Sequence, residues 1–111
     1  MYHIVRPILP SYVRPAIYSL QLRSGAQNIL IKFRWDGGGS VRLEIVSPKK
    51  VYTEDEMKIT DKTSIQADGT IICKYLRQYG LSIPKLPHEE MWSIQLNLAN
   101  ICRYQLDVEV S

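Results

Sequence analysis

At 111 residues, 45% of them apolar, the chain is long enough for one core and too apolar for a disordered segment. Fourteen Lys and Arg against eleven Asp and Glu leave a net charge of +3, scattered along the chain, which argues against a dedicated nucleic-acid binder with clustered cations. No apolar run approaches the roughly 20 residues of a membrane-spanning helix, and the Pro-rich N-terminus lacks the apolar stretch of a signal peptide; with Met1 as a native start, that points to the cytoplasm.

Residues 1–15 hold two similar pieces, Ile4-Val5-Arg6-Pro7 and Tyr12-Val13-Arg14-Pro15. Proline removes a ladder donor, so these read as an N-terminal arm of edge or extended segments. A single β-sandwich domain is expected over 16–111. In residues 16–23, Tyr18, Leu20 and Leu22 form the inward set. Residues 24–28 are a turn. Ile29, Ile31, Phe33 and Trp35 alternate with Leu30, Lys32 and Arg34. Period two means a strand with one face buried. Trp35-Asp36-Gly37-Gly38-Gly39-Ser40 then lets the chain reverse or change sheet. Val41, Leu43 and Ile45 form the next inward set, and Ser47-Pro48-Lys49-Lys50 turns toward Val51 and Tyr52.

Residues 53–70 read as loops with one short strand at 57–59. Residues 70–76 read as a strong strand with Ile71, Cys73 and Tyr75 inward. Residues 77–88, with Gly80, Pro84 and Pro87, read as a long loop. Trp92, Ile94, Leu96 and Leu98 define a further strand, Ala99-Asn100 turns the chain, and Tyr104, Leu106, Val108 and Val110 define the last. No segment keeps a 3.6-residue period. Short alternating strands separated by turns predict an all-β fold, an antiparallel two-sheet β-sandwich.

Several pieces resemble the bacterial pre-peptidase C-terminal domain. They are Trp35-Asp36-Gly37-Gly38-Gly39, then Val41, Leu43 and Ile45, then Ser47-Pro48-Lys49-Lys50-Val51. Met91-Trp92-Ser93-Ile94 and Tyr104-Gln105-Leu106-Asp107-Val108 resemble its closing strands, so the resemblance spans 29–110. It implies a jelly-roll-like sandwich appended to secreted proteases or other exported enzymes. Such domains do no chemistry, and some relatives bind polysaccharide or collagen. Two departures stand out. Ser40 and Arg42 occupy places where the family often carries acidic residues, and Glu90-Met91-Trp92 replaces its Gly-Thr-Trp. The family's calcium-dependent behaviour is therefore not carried over.

The residues offer little for catalysis. His3 and His88 are the only histidines, each in a Pro-containing segment, and read as solvated. General acid–base or nucleophilic chemistry needs a titratable group beside a partner, and no such motif occurs. Gly37-Gly38-Gly39 precedes no helix and is a poor phosphate cradle. Thr53-Glu54-Asp55-Glu56 with Asp61 and Asp68 matches no calcium loop and reads as a solvated acidic segment. Cys73 and Cys102 read as buried thiols, with a disulfide between them as the alternative. No cofactor, no metal and no enzymatic activity are expected.

A non-catalytic binding or protein-interaction module remains, with protein or polysaccharide as partner. Tyr52, Arg77 and Tyr79 are the candidate ligand-binding residues, because tyrosines beside an arginine bury area at low entropy cost. Loops at one end of the sandwich would present them. The alternative is an electrostatic nucleic-acid binder using Lys32, Arg34 and Arg42. These three share one outer face if the strands around the glycines form a hairpin with Trp35 opposite Val41.

Overall fold

The computed structural model describes the backbone of residues 2–7, 14–36, 39–68, 71–99, 101 and 103–111, and the side chains of 16–35, 39–61, 75–99, 101 and 104–111. Among the described residues, nine strands appear in chain order: β1 (Tyr2–Pro7), β2 (Arg14–Leu22), β3 (Asn28–Asp36), β4 (Ser40–Val46), β5 (Val51–Tyr52), β6 (Lys58–Asp68), β7 (Ile71–Ser82), β8 (Glu90–Ala99) and β9 (Arg103–Val110). A short 3-10 turn covers Glu54–Glu56.

The strands form two sheets, and every pairing is antiparallel. One has five strands in the order β1-β9-β3-β7-β6; the other has four in the order β2-β8-β4-β5. With β6 set aside, the remaining eight strands take jelly-roll order. The first, eighth, third and sixth lie in one sheet, and the second, seventh, fourth and fifth in the other. The predicted sandwich is therefore present, with an added edge strand.

The alternating pattern explains the core. Ile29, Ile31, Phe33 and Trp35 of β3 face Val41, Leu43 and Ile45 of β4 across the interior, and all are buried. Leu20 and Leu22 of β2, Trp92, Ile94, Leu96 and Leu98 of β8, and Tyr104, Leu106 and Val108 of β9 complete it. Burying each such side chain contributes on the order of 1.5–3 kcal/mol before chain entropy is subtracted. The Tyr18 and Tyr104 hydroxyls hydrogen-bond to each other, which joins the two sheets.

Three expectations are corrected by the pairing. β3 and β4 do not form a hairpin: β3 pairs with β7 and β9, and β4 with β5 and β8. The chain leaves one sheet at Asp36 and enters the other at Ser40. The short strand expected at 57–59 extends over eleven residues as β6, with an irregularity between Thr63 and Gln66. The strand expected to end at Leu76 continues to Ser82, so Arg77 and Tyr79 lie in β7, not in a loop. Tyr2–Pro7, read as an edge or extended segment, pairs along its length with Arg103–Val108 of β9 and edges the five-stranded sheet. Cys102 and the Cys73 side chain lie outside the described residues, as does the His3 side chain.

Residues 83–89 plug one end of the sandwich. Ile83 and Leu86 are buried. The Gly25 amide donates to the Leu86 carbonyl at 2.8 Å, Leu86 N–H to Ala26 O at 3.2 Å, and Ile83 N–H to Gln27 O at 2.8 Å. Ser111 seals the same end through hydrogen bonds with Gln27 and Asn28.

Candidate binding site

The two sheets differ in width, and that difference makes the candidate site. β5 has only two residues and pairs only with Ile45 and Val46 of β4. Opposite it the five-stranded sheet runs on through β7 to β6. No strand of the second sheet lies beyond β5; at that edge the Glu54–Glu56 turn touches both β4 and β6, and Met57 is buried. We call the inner surface from β3 across β7 to β6 the shelf.

Register places the shelf residues. Directly opposed residues of an antiparallel pair point to the same face. Tyr75, Arg77, Tyr79 and Leu81 share one phase of β7; Tyr79 and Leu81 are buried in the core. Tyr75 opposes Trp35 and Arg77 opposes Phe33 on β3. On the other side Asp61 opposes Arg77, and Ile59 opposes Tyr79. Trp35, Tyr75, Arg77, Asp61 and Ile59 thus lie on one continuous inner surface, running from buried to exposed.

The contacts along it are specific. The Trp35 and Tyr75 rings stack with centroids 5.2 Å apart, and Phe33 supports Trp35 at 5.4 Å. The Arg77 guanidinium lies 5.7 Å from the centroid of the Trp35 ring, within range of a cation–π contact. Arg77 donates through Nε to Asp61 Oδ1 at 2.5 Å and through Nη2 to Oδ2 at 3.2 Å. This bidentate geometry fixes both groups. The Arg77 side chain is 24% exposed and that of Asp61 61%, so the pair faces solvent while resting on an aromatic base.

Two buried donors here lack hydrogen-bond acceptors among the described residues: Trp35 Nε1–H and Tyr79 O–H. An unsatisfied buried polar group costs about 1–3 kcal/mol, and both atoms are closed to solvent. Burial pushes the Tyr79 phenol up to about 12, and the neighbouring Arg77 opposes the shift. Arg77 is itself held further into its charged range, chiefly by Asp61.

The acidic segment has structural partners. A Glu54 carboxylate oxygen accepts the Leu43 amide at 2.7 Å, capping a backbone donor at the edge of β4 that β5 is too short to reach. Glu56 pairs with Lys50 at 2.8 Å, which raises the Lys50 pKa by hydrogen bond and charge. Lys50 in turn lies over Tyr52, 4.8 Å from the ring centroid, and Tyr52 stacks on Trp92 at 5.6 Å. Among the described residues, no three His, Cys, Asp or Glu side chains gather as a metal site.

Each candidate residue now has a place. Arg77 stands on the shelf. Tyr79 sits beneath it, 1% exposed, so it is a core residue and not the exposed anchor expected of a loop. Tyr52 is half-buried at the edge of the four-stranded sheet, braced by Trp92 and Lys50. The basic face does not assemble. Lys32 and Arg34 lie on the outer side of β3 in one sheet, and Arg42 on the outer side of β4 in the other, so they point from opposite faces of the sandwich. Arg34 is also paired with Asp107 at 2.6 Å. Residue patterns missed the grouping of Trp35 and Tyr75 with Asp61, because it depends on which strands become neighbours. One signal was present: the inward phase runs unbroken from Tyr75 to Leu81, with Arg77 its one charged member.

No protein-family model and no curated protein sequence matches the chain. Among solved structures, the Clostridium perfringens CspB protease is similar with a TM-score of 0.59 at 14% identity. The match covers 96% of this chain and 24% of the protease, so this chain spans about a quarter of that protein's length. A family 3a carbohydrate-binding module from the cipA scaffolding of Clostridium thermocellum matches at a TM-score of 0.43 and 13% identity, over 89% of this chain and 76% of the module. At these identities the likeness concerns the fold alone.

Proposed function

We propose that this chain is a non-catalytic binding module that engages its ligand on the shelf between β3, β7 and β6. The observation that carries this reading is the solvent-facing Arg77–Asp61 pair on a Trp35–Tyr75 stack. Ligand sites combine aromatic surface with a few fixed polar groups, and this group has both on rigid strands. The resemblance of residues 29–110 to the pre-peptidase C-terminal domain supports a further step, a module carried by a larger exported protein.

The test uses two double variants. The chain is run in native gels cast with soluble polysaccharides, and immobilised to capture partners from culture supernatant. Tyr75→Ala/Arg77→Ala is expected to lose whatever the parent binds. Lys32→Glu/Arg34→Glu is expected to keep it. The reverse pattern would move the interface to the outer sheet face and overturn the proposal.

A further inference from the structure

We infer that the ligand of this shelf is an uncharged sugar ring, stacked on Tyr75 and hydrogen-bonded by Asp61 and Arg77; the inference rests on the shelf being the binding surface. Three observations carry it. The first is charge balance. Arg77 is met by Asp61 in a bidentate pair, so an anionic ligand meets the Asp61 carboxylate and a cationic one meets the guanidinium. A neutral ligand meets neither penalty. The second is donor and acceptor supply. Asp61 is largely exposed and keeps lone pairs beyond those bonded to Arg77, while the guanidinium has N–H groups beyond the two that Asp61 accepts. Adjacent hydroxyls of a sugar, each both donor and acceptor, match a carboxylate beside a guanidinium.

The third is the amount and kind of apolar surface. A protein partner typically covers about 800 Å² per side with an apolar centre. The exposed large apolar residues Ile17, Val51 and Met91 lie on the outer face of the four-stranded sheet, and of those described only Ile59 borders the shelf. Tyr75 is half-buried, one face on Trp35. One aromatic ring flanked by planar polar groups suits the apolar face and hydroxyl rim of a sugar.

The experiment titrates the chain with soluble neutral polysaccharides (β-glucan, α-glucan, mannan and xylan) and with polygalacturonate, reading affinity electrophoresis and tryptophan fluorescence. The expected result is binding to at least one neutral polymer and none to polygalacturonate, with a fluorescence change that Trp35→Phe removes. Asp61→Asn and Tyr75→Ala each weaken binding about tenfold or more, with the thermal midpoint of Asp61→Asn close to that of the parent. Failure of every neutral polymer overturns the inference, as does a preference for polygalacturonate or binding indifferent to Asp61→Asn. A protein partner lost on Tyr75→Ala/Arg77→Ala would sink the sugar while leaving the shelf as the binding surface.

Discussion

Single positions divide into those whose surroundings can be read from the chain and those that need the fold. Trp92 belongs to the first kind. Its phase with Ile94, Leu96 and Leu98 marks it inward, and it is buried, with Nε1–H donating to Glu90 at 2.9 Å. Trp92→Ala is expected to cost about 3–5 kcal/mol in chemical denaturation; a loss under about 1 kcal/mol would contradict its core position. Gly25 belongs to the second kind. It adopts φ +87° and the nearest atom to an added Cβ is Lys85 Cε at 3.8 Å, so space is not the constraint and backbone conformation is. Gly25→Ala should lower stability by about 1–2 kcal/mol. Tyr79 carries a pH dependence. Its phenol is raised from near 10 to about 12 in the folded chain, chiefly by burial. The folded state therefore holds this proton more tightly than the unfolded state. Tyr79 supports folding below pH 10, and that support falls away as pH rises through 12. Tyr79→Phe should flatten the alkaline decline of the denaturation midpoint between pH 10 and 12; an unchanged slope would show that the phenol titrates normally.

At the scale of elements, faces were legible and neighbours were not. Alternation told which side of β2, β3, β4, β8 and β9 is buried, because the side-chain period of a strand is two whatever lies beside it. It could not tell that β3 pairs with β7 and β9 instead of β4, since strand pairing is settled by long-range packing. The segment after Leu76 looked like a loop for a local reason. Arg77, Gln78 and Gly80 weaken strand propensity, yet Phe33, Lys32 and Leu30 of β3 pair with them in an unbroken ladder. The prolines of 84 and 87 do mark irregular chain, and that chain is a plug. Leu86→Ala should cost about 2–5 kcal/mol, comparable to a strand residue; a negligible loss would show that the 83–89 segment rests loosely on residues 23–27.

The whole molecule is a jelly roll whose five-stranded sheet outruns its four-stranded one. The sandwich class was legible because no segment keeps a helical period. The shelf was not, because it arises from the brevity of β5 and the length of β6, neither of which the residue pattern announces. Its components are partly visible in the sequence: Arg77 reads as a binding residue beside tyrosines, while Trp35 reads as core and Asp61 as solvated. Residues close in space and distant in sequence define the surface, and the same geometry makes two strands of inner face available without a loop. The central claim is that binding occurs there. Amide chemical-shift mapping during titration with the bound polysaccharide or captured partner tests it most directly. The account predicts that the largest shifts fall on residues 59–61 and 75–79, with little change in 83–89 and 47–50. Shifts concentrated in those end loops, or on Lys32, Arg34 and their outer-face neighbours, would contradict it.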